Sequence, residues 1–154
     1  MIRLSTKGRY GTRSMLELAL RRGSGPVLIK QVAEAQDIPV KYLEHVLTLL
    51  RVAGLVKAYR GPRGGYVLAR DPSEITLNQM LTALEGPVSL VHCQEMPEEC
   101  VRSEICVTQD IWSDISNRMV DFMDGITLED IVGMHNDKVK AVESGGGGKE
   151  AAKA

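Results

Sequence analysis

The feature that most constrains the fold is the turn sequence Arg60-Gly-Pro-Arg-Gly64, which separates two short stretches rich in strand-forming residues. The stretches are Leu55–Tyr59 and Gly65–Ala69. Glycine and proline supply the backbone geometry of a tight turn, and β-branched and aromatic residues favour strands on either side. The sequence therefore predicts a β-hairpin with two arginines at its tip.

Three helical patterns precede this hairpin, at about Gly8–Arg22, Ile29–Ala35 and Val40–Ala53. Each has apolar residues at helical spacing, and glycine or proline follows or precedes each one. Pro39 can occupy the first turn of the third helix, where its missing N–H costs nothing. Each pattern alone is weak, but three helices followed by a hairpin predict a winged helix-turn-helix.

The second half of the chain predicts three more helices. Thr76–Gln79 resembles a capping box that opens a helix ending near Gly86, and Thr127–Val132 forms a last short helix. Between them, Val107–Met123 has an apolar stripe that reaches further than one small domain needs. The stripe comprises Val107, Ile111, Ile115, Met119 and Phe122, with Trp112 beside it. We therefore expect a mainly α fold with a small β-wing and a long dimerisation helix, in a homodimer.

The patterns divide the chain into five segments. These are residues 1–72 for the winged helix-turn-helix domain, 73–92 for a linking helix and connection, 93–106 for a cysteine loop, 107–135 for the dimerisation helix and a short C-terminal helix, and 136–154 for a flexible tail. No apolar stretch is long enough for a membrane span, and no signal peptide is recognisable. The sequence therefore predicts a cytoplasmic protein that does not bind membranes.

The charges of the two halves oppose each other. Residues 1–70 contain 13 Lys and Arg against four Asp and Glu, whereas residues 71–154 contain six against 16. A basic half on helix-turn-helix elements predicts that this half binds a polyanion, and double-stranded DNA is the expected partner.

The third helix and the hairpin supply the candidate DNA contacts. The exposed N-terminal residues of the third helix are Lys41, Tyr42, Glu44 and His45. Lys41 can contact phosphate or guanine, and Glu44 can accept a hydrogen bond from the cytosine amino group. The two arginines of the hairpin suit phosphates or the minor groove, and they are Arg60 and Arg63.

All three cysteines lie within fourteen residues, at Cys93, Cys100 and Cys106. The odd number argues against a set of paired disulfides, and neighbouring thiolates can share one soft metal centre. Iron–sulfur chemistry is the leading interpretation. Zinc bound by three cysteines and a histidine, or a thiol–disulfide switch, is the alternative within the same class. A small iron–sulfur carrier without a DNA function is the alternative from a different class.

These residues together resemble a known family. The segments Arg3–Tyr10, Tyr42–Glu44 and Arg60–Tyr66, followed by the three cysteines, are similar to IscR-type iron–sulfur regulators over about residues 1–135. The resemblance implies a homodimeric winged-helix transcription factor whose cysteines hold a [2Fe–2S] cluster. It also implies that Tyr42 and Glu44 read bases and that Arg60 belongs to the wing.

The chain departs from the family pattern in two places. Six residues separate Cys93 from Cys100, whereas the family has five. Where the family has its histidine ligand, three residues after the last cysteine, this chain has Gln109. An amide is a poor ligand for iron; His92 is the nearest imidazole, and Glu104 and Asp110 offer carboxylates. No nucleophile with a positioned base is recognisable, so we do not expect an enzyme.

Overall fold

The computed structural model describes residues 3–144 and has the expected architecture, mainly helical with one two-stranded sheet. The helices are α1 Thr6–Leu20, α2 Ile29–Gln36, α3 Val40–Val52, α4 Leu77–Glu85, α5 His92–Glu95, α6 Val107–Asp124 and α7 Leu128–Ser144; the strands are β1 Val56–Tyr59 and β2 Gly65–Leu68. Single 3₁₀ turns lie at Pro72–Glu74, Pro97–Glu99 and Ser103–Ile105.

The winged domain is built around α3, whose apolar face is completely buried. Leu43, Val46, Leu47 and Leu50 have no exposed surface. They recur at the three- and four-residue spacing that keeps one side of a helix inward, so the opposite side of α3 faces solvent. Asp37, with φ of 50°, makes the left-handed turn that sends the chain from α2 into α3.

The hairpin is antiparallel, with Val56 opposite Leu68 and Tyr59 opposite Gly65. Its base is fixed to the helical part because Val27 and Tyr66 exchange backbone hydrogen bonds of 2.9 and 2.8 Å. A side chain at Gly65 would lie 2.5 Å from the carbonyl oxygen of Val27, so only glycine permits this approach. The tip of the hairpin therefore projects from a firmly attached base.

Helix α4 lies directly against α1. A Cβ atom at Gly11 would lie 2.1 Å from Leu84 Cδ1, so the missing side chain is what allows the close approach. The predicted capping box is confirmed at the start of α4, where the hydroxyl of Thr76 accepts from the Gln79 N–H at 3.2 Å. Gly86 then ends the helix.

Helix α7 returns to the winged domain and packs on α1 through Leu128, which is fully buried. The Leu128 N–H donates to the Ile75 carbonyl at 2.8 Å, which ties the start of α7 to the chain before α4. The helix expected at Thr127–Val132 is longer than predicted. Residues 136–144, which were expected to belong to a flexible tail, are part of this helix. Residues 134–144 contain no proline or glycine, so the helix continues to Ser144. The remainder of the expected tail, residues 145–154, lies outside the described residues.

The cysteine loop contains more local structure than its weak periodicity indicated. The loop contains one helical turn, α5, followed by two 3₁₀ turns. In the part of the chain that the structure describes, no helix is both long and apolar enough to cross a membrane.

Candidate DNA-binding surface and cysteine segment

Helix α3 presents the predicted base-contacting side chains on its solvent side. Lys41, Glu44 and His45 are exposed, while Tyr42 is half-buried. Pro39 is the N-cap of α3 rather than a residue of its first turn, and its carbonyl accepts from the N–H groups of Tyr42 and Leu43 at 3.0 Å each. Within residues 3–144, the side chains of Lys41 and Glu44 make no hydrogen bond or ion pair, so both are available to a ligand.

The tip of the hairpin presents two further cations. Arg60 and Arg63 are exposed and, like Lys41, form no ion pair among the described residues. The turn between them is closed by the Gly64 N–H, which donates to the Gly61 carbonyl at 2.9 Å, and Gly61 has φ of 102°. These exposed cations without ion-pair partners among the described residues are suited to contact a DNA phosphate backbone.

Tyr42 differs from the other predicted contact residues because α1 holds its ring. The rings of Tyr10 and Tyr42 meet edge to face, with centroids 5.4 Å apart. The guanidinium of Arg13 lies 5.9 Å from the centre of the Tyr10 ring. Tyr10, which lies in the Arg3–Tyr10 segment, thus supports the Tyr42 ring, and Arg13, which the sequence patterns did not single out, lies over Tyr10.

The three cysteines are free thiols, and each is half-buried. Cys93 lies in α5, Cys100 follows the second 3₁₀ turn, and Cys106 is the N-cap residue of α6. The hydroxyl of Thr108 lies 3.2 Å from Cys106 Sγ, and this hydrogen bond, helped by the Gln109 N–H, lowers the pKa of the Cys106 thiol. Cys106 is therefore inclined towards the thiolate, the form that binds metal and attacks disulfides.

Two glutamines connect the cysteine segment to α6. The Gln94 side chain accepts from the Leu90 N–H at 2.7 Å and donates to the hydroxyls of Ser113 and Ser116 at 3.3 and 3.2 Å. The Gln109 side chain donates to the carbonyl of Cys93 at 3.1 Å. The two glutamines thus hold the backbone around Cys93 against α6. Spacing along the sequence gave no signal for these contacts, which join residues 16 to 22 positions apart.

The donor chemistry of this region fits an iron–sulfur group. Three thiols lie in one short segment. Gln109, which hydrogen-bonds to the backbone carbonyls of Cys93 and Cys106, has a buried Oε1 without a hydrogen-bond partner among the described residues. Within residues 3–144, however, no three His, Cys, Asp or Glu side chains already form a group that could hold a metal ion. The three thiols therefore stay a predicted ligand set, and the segment has to close around the group that they bind.

The predicted dimerisation stripe on α6 is largely uncovered in a single chain. Val107 is 70% exposed and Phe122 is 69% exposed, and Ile111 and Trp112 are also exposed. Ile115 and Met119 are half-buried. An apolar helix face of this extent is typical of a surface that another chain covers.

The α2–α3 pair and the hairpin, which both carry exposed charged side chains, have the architecture of a winged-helix DNA-binding protein. The family model for Rrf2, an iron-dependent transcriptional regulator, matches residues 4–134. The chain belongs to this family and is a transcriptional regulator.

Individual relatives agree with the family. The HTH-type transcriptional regulator IscR of Pectobacterium atrosepticum is 39% identical over 131 residues, which cover 85% of this chain and 79% of that protein. The structure of CymR, the global cysteine regulator of B. subtilis, matches with a TM-score of 0.74 at 38% identity, covering 87% of this chain and 98% of that one. The T. potens IscR structure matches with a TM-score of 0.70 at 34% identity, covering 96% and 94%. The expected family and fold class are confirmed.

Proposed function

We propose that this chain is a cytoplasmic, homodimeric transcription regulator that binds operator DNA and senses iron–sulfur status through a cluster on Cys93, Cys100 and Cys106. The observation that carries the proposal is the pairing of two features in one chain. One is a DNA-facing surface whose charged side chains have no internal partners. The other is a segment of three accessible thiols that hydrogen-bonds to α6.

The winged domain, residues 1–72, is the DNA-reading part. Helix α3 lies in the major groove, where Tyr42 and Glu44 contact base edges and Lys41 contacts phosphate or guanine. Arg60 and Arg63 reach phosphates or the minor groove on the same side of the duplex. Phosphates and acceptor-rich base edges repel the Glu44 carboxylate, whereas the amino group of cytosine can donate a hydrogen bond to it. Glu44 therefore favours operators with a cytosine at the contacted position.

The cysteine segment is the sensing part. When bound, a [2Fe–2S] cluster supplies redox-sensitive iron with three thiolate ligands from this chain. Ligation orders the segment, and Gln94 and Gln109 transmit that order to α6. The exposed stripe of α6 packs against the same helix of a second chain, with residues 73–92 as the connection to the DNA-reading part. A change in α6 therefore shifts the relative placement of two winged domains and the affinity for one operator.

The test of the proposal is anaerobic purification followed by analysis of iron, acid-labile sulfide and the visible spectrum. We expect a coloured protein with equal amounts of iron and sulfide. Replacing Cys93, Cys100 or Cys106 with alanine should abolish both, and it should change the affinity for operator fragments selected from genomic DNA. Retention of iron and sulfide by all three variants would contradict the cluster assignment.

A thiol-based switch is the second candidate, because all three cysteines are free and partly exposed within one short segment. Such a switch needs an oxidant such as hydrogen peroxide to convert Cys106 to a sulfenic acid, which a second cysteine resolves to a disulfide with loss of water. Metal-free protein that forms this disulfide and then changes its DNA affinity would support the switch. Stoichiometric zinc without sulfide would instead indicate a zinc site.

A further inference from the structure

The side-chain oxygen of Gln109 is a buried acceptor without a partner among residues 3–144. Gln109 lies in the first turn of α6, and no described residue donates a hydrogen bond to its Oε1. Leaving a buried acceptor unpaired costs roughly 1–3 kcal/mol, so such an atom indicates a missing partner.

Rotating the amide does not solve the problem. Gln109 Nε2 donates to the Cys93 carbonyl at 3.1 Å. Exchanging the nitrogen and the oxygen would place two acceptors against each other with no proton between them. The backbone also restrains the residue, since the Gln109 N–H donates to the Cys106 carbonyl at 3.0 Å. Gln109 is thereby hydrogen-bonded to two of the three cysteines, and its oxygen stays directed elsewhere.

Other oxygen and nitrogen donors near the cysteines are differently placed. The His92 ring is 72% exposed and its Nε2 lies 3.2 Å from Glu99 Oε2, so this imidazole already has a carboxylate partner. Glu104 and Asp110 are exposed, so water satisfies their oxygens. Gln109 Oε1 differs from all of these because it is both buried and without a partner.

We propose that Gln109 Oε1 is the fourth donor to the iron–sulfur group, completing a set of three sulfurs and one oxygen. This inference rests on the function proposed above. A neutral amide oxygen binds iron more weakly than a thiolate or an imidazole, because iron in clusters prefers softer ligands. Gln109 would therefore be the weakest of the four donors that hold the group.

The decisive experiment compares wild type with Gln109→Ala, Gln109→Glu and Gln109→His in the full-length protein, reconstituted anaerobically with iron and sulfide. One readout is the half-life of the visible absorption in air. Gln109→Ala should shorten it about tenfold or more, and Gln109→Glu and Gln109→His should lengthen it. The control is Asn117→Ala, an exposed residue further along α6 whose replacement should leave the half-life unchanged.

The second readout tests whether a histidine is the fourth ligand instead. Reduced protein carrying ¹⁵N-labelled histidine is measured by pulsed electron paramagnetic resonance, which detects nitrogen bonded to iron. Wild type should show no strongly coupled histidine nitrogen, and Gln109→His should gain one. A histidine coupling in wild type, or an unchanged half-life in Gln109→Ala, overturns the assignment of Gln109 while the cluster itself stands. Wild type without iron and sulfide overturns both the assignment and the proposed function. If Gln109→Ala does not fold, the wild-type and Gln109→His spectra decide.

Discussion

Tyr10 of α1 contacts Tyr42 of α3 edge to face, with the two ring planes at 89° to each other. Edge-to-face geometry places the positive rim of one ring on the negative face of the other. Tyr42 is therefore supported by α1, whereas the exposed Lys41 and Glu44 beside it have no comparable contact. The predicted base-contacting end of α3 combines one packed side chain with two exposed ones.

Replacing Tyr10 with alanine should weaken this support without touching DNA. The variant loses the aromatic pair and part of the packing between α1 and α3, so we expect about 1–3 kcal/mol of destabilisation. Chemical denaturation followed by circular dichroism measures the change. Tyr10→Phe keeps the ring and should stay within about 0.5 kcal/mol of wild type. Equal losses in both variants would show that the hydroxyl matters and the ring pair does not.

Two glycines in helices should respond in opposite directions to alanine. Gly11→Ala places a methyl group 2.1 Å from Leu84 Cδ1, so α4 has to move away from α1, at a cost of about 1–3 kcal/mol. Gly133→Ala in α7 meets nothing within 4 Å and should stabilise the protein by up to about 1 kcal/mol. Thermal unfolding of the two variants side by side measures both signs. A stabilising Gly11→Ala would contradict the packing of α4 on α1.

Arg63→Ala should weaken binding to every DNA sequence. The variant loses a contact to phosphate, so the slope of log affinity against log salt should fall by about one unit per lost contact. Fluorescence anisotropy with operator and scrambled duplexes at two salt concentrations measures the slope. A loss confined to the operator would instead make Arg63 a base-reading residue.

Glu44→Ala should reduce the preference for the operator over other DNA sequences, without weakening DNA binding in general. We expect a loss of roughly 1–3 kcal/mol in preference at one base pair, with binding to scrambled DNA unchanged or tighter. The same titrations, with single substitutions in the operator, locate that base pair. If affinity falls equally for operator and scrambled duplexes, Glu44 is structural and the base-reading hypothesis is wrong.

Phe122→Glu should separate the proposed dimer into monomers. Phe122 is 69% exposed in the single chain, so a charge there costs little in the monomer but would be buried in a dimer. Light scattering at micromolar concentrations measures the mass. Asn117→Glu, on the exposed polar side of α6, is the matched control and should stay dimeric. A dimeric Phe122→Glu protein would exclude this face as the interface.

Asp71 should make stability depend on pH in the acid range. Hydrogen bonds from the Ser73 N–H and hydroxyl, together with the ion pair to Arg22, lower the pKa of this carboxyl. A carboxyl whose pKa is lower in the folded state stabilises the fold above its unfolded pKa, about 3.9, and that contribution disappears as the pH falls through the folded value. Wild type should therefore exceed Asp71→Asn in stability near about pH 6, and the difference should shrink towards about pH 3.

Local signals were sufficient to predict the winged domain. Helix α3 was expected to end at Ala53, and it ends one residue earlier, at Val52. The prediction was close because glycine, here Gly54, commonly terminates a helix just after its last residues. Thr76 and Gln79 form the predicted capping box for the same reason, since both partners lie within one helical turn. Elements whose ends are determined by neighbouring residues can be predicted from a single sequence.

Contacts between distant residues could not be predicted. Gln94 and Ser116 are 22 positions apart, and nothing in the spacing of either residue indicates the other. The helix expected at Thr127–Val132 was too short, because no proline or glycine between residues 134 and 144 breaks α7 before Ser144. The predicted roles of Lys41, Tyr42, Glu44 and the three cysteines stay predictions, because they concern DNA and a cluster rather than the chain alone.

The side-chain hydrogen bonds of residues 89–106, among the residues that the structure describes, stay within that segment or reach α6. The three cysteines thus lie in a segment whose side-chain hydrogen bonds, in the described part of the chain, do not reach the winged domain, which α6 and α7 contact through α4 and α1. A change of length or of side chain within residues 89–106 therefore leaves the hydrogen bonds of the winged domain in place. The same independence offers a practical route to hybrid regulators, in which one DNA specificity is combined with a detector segment taken from another chain.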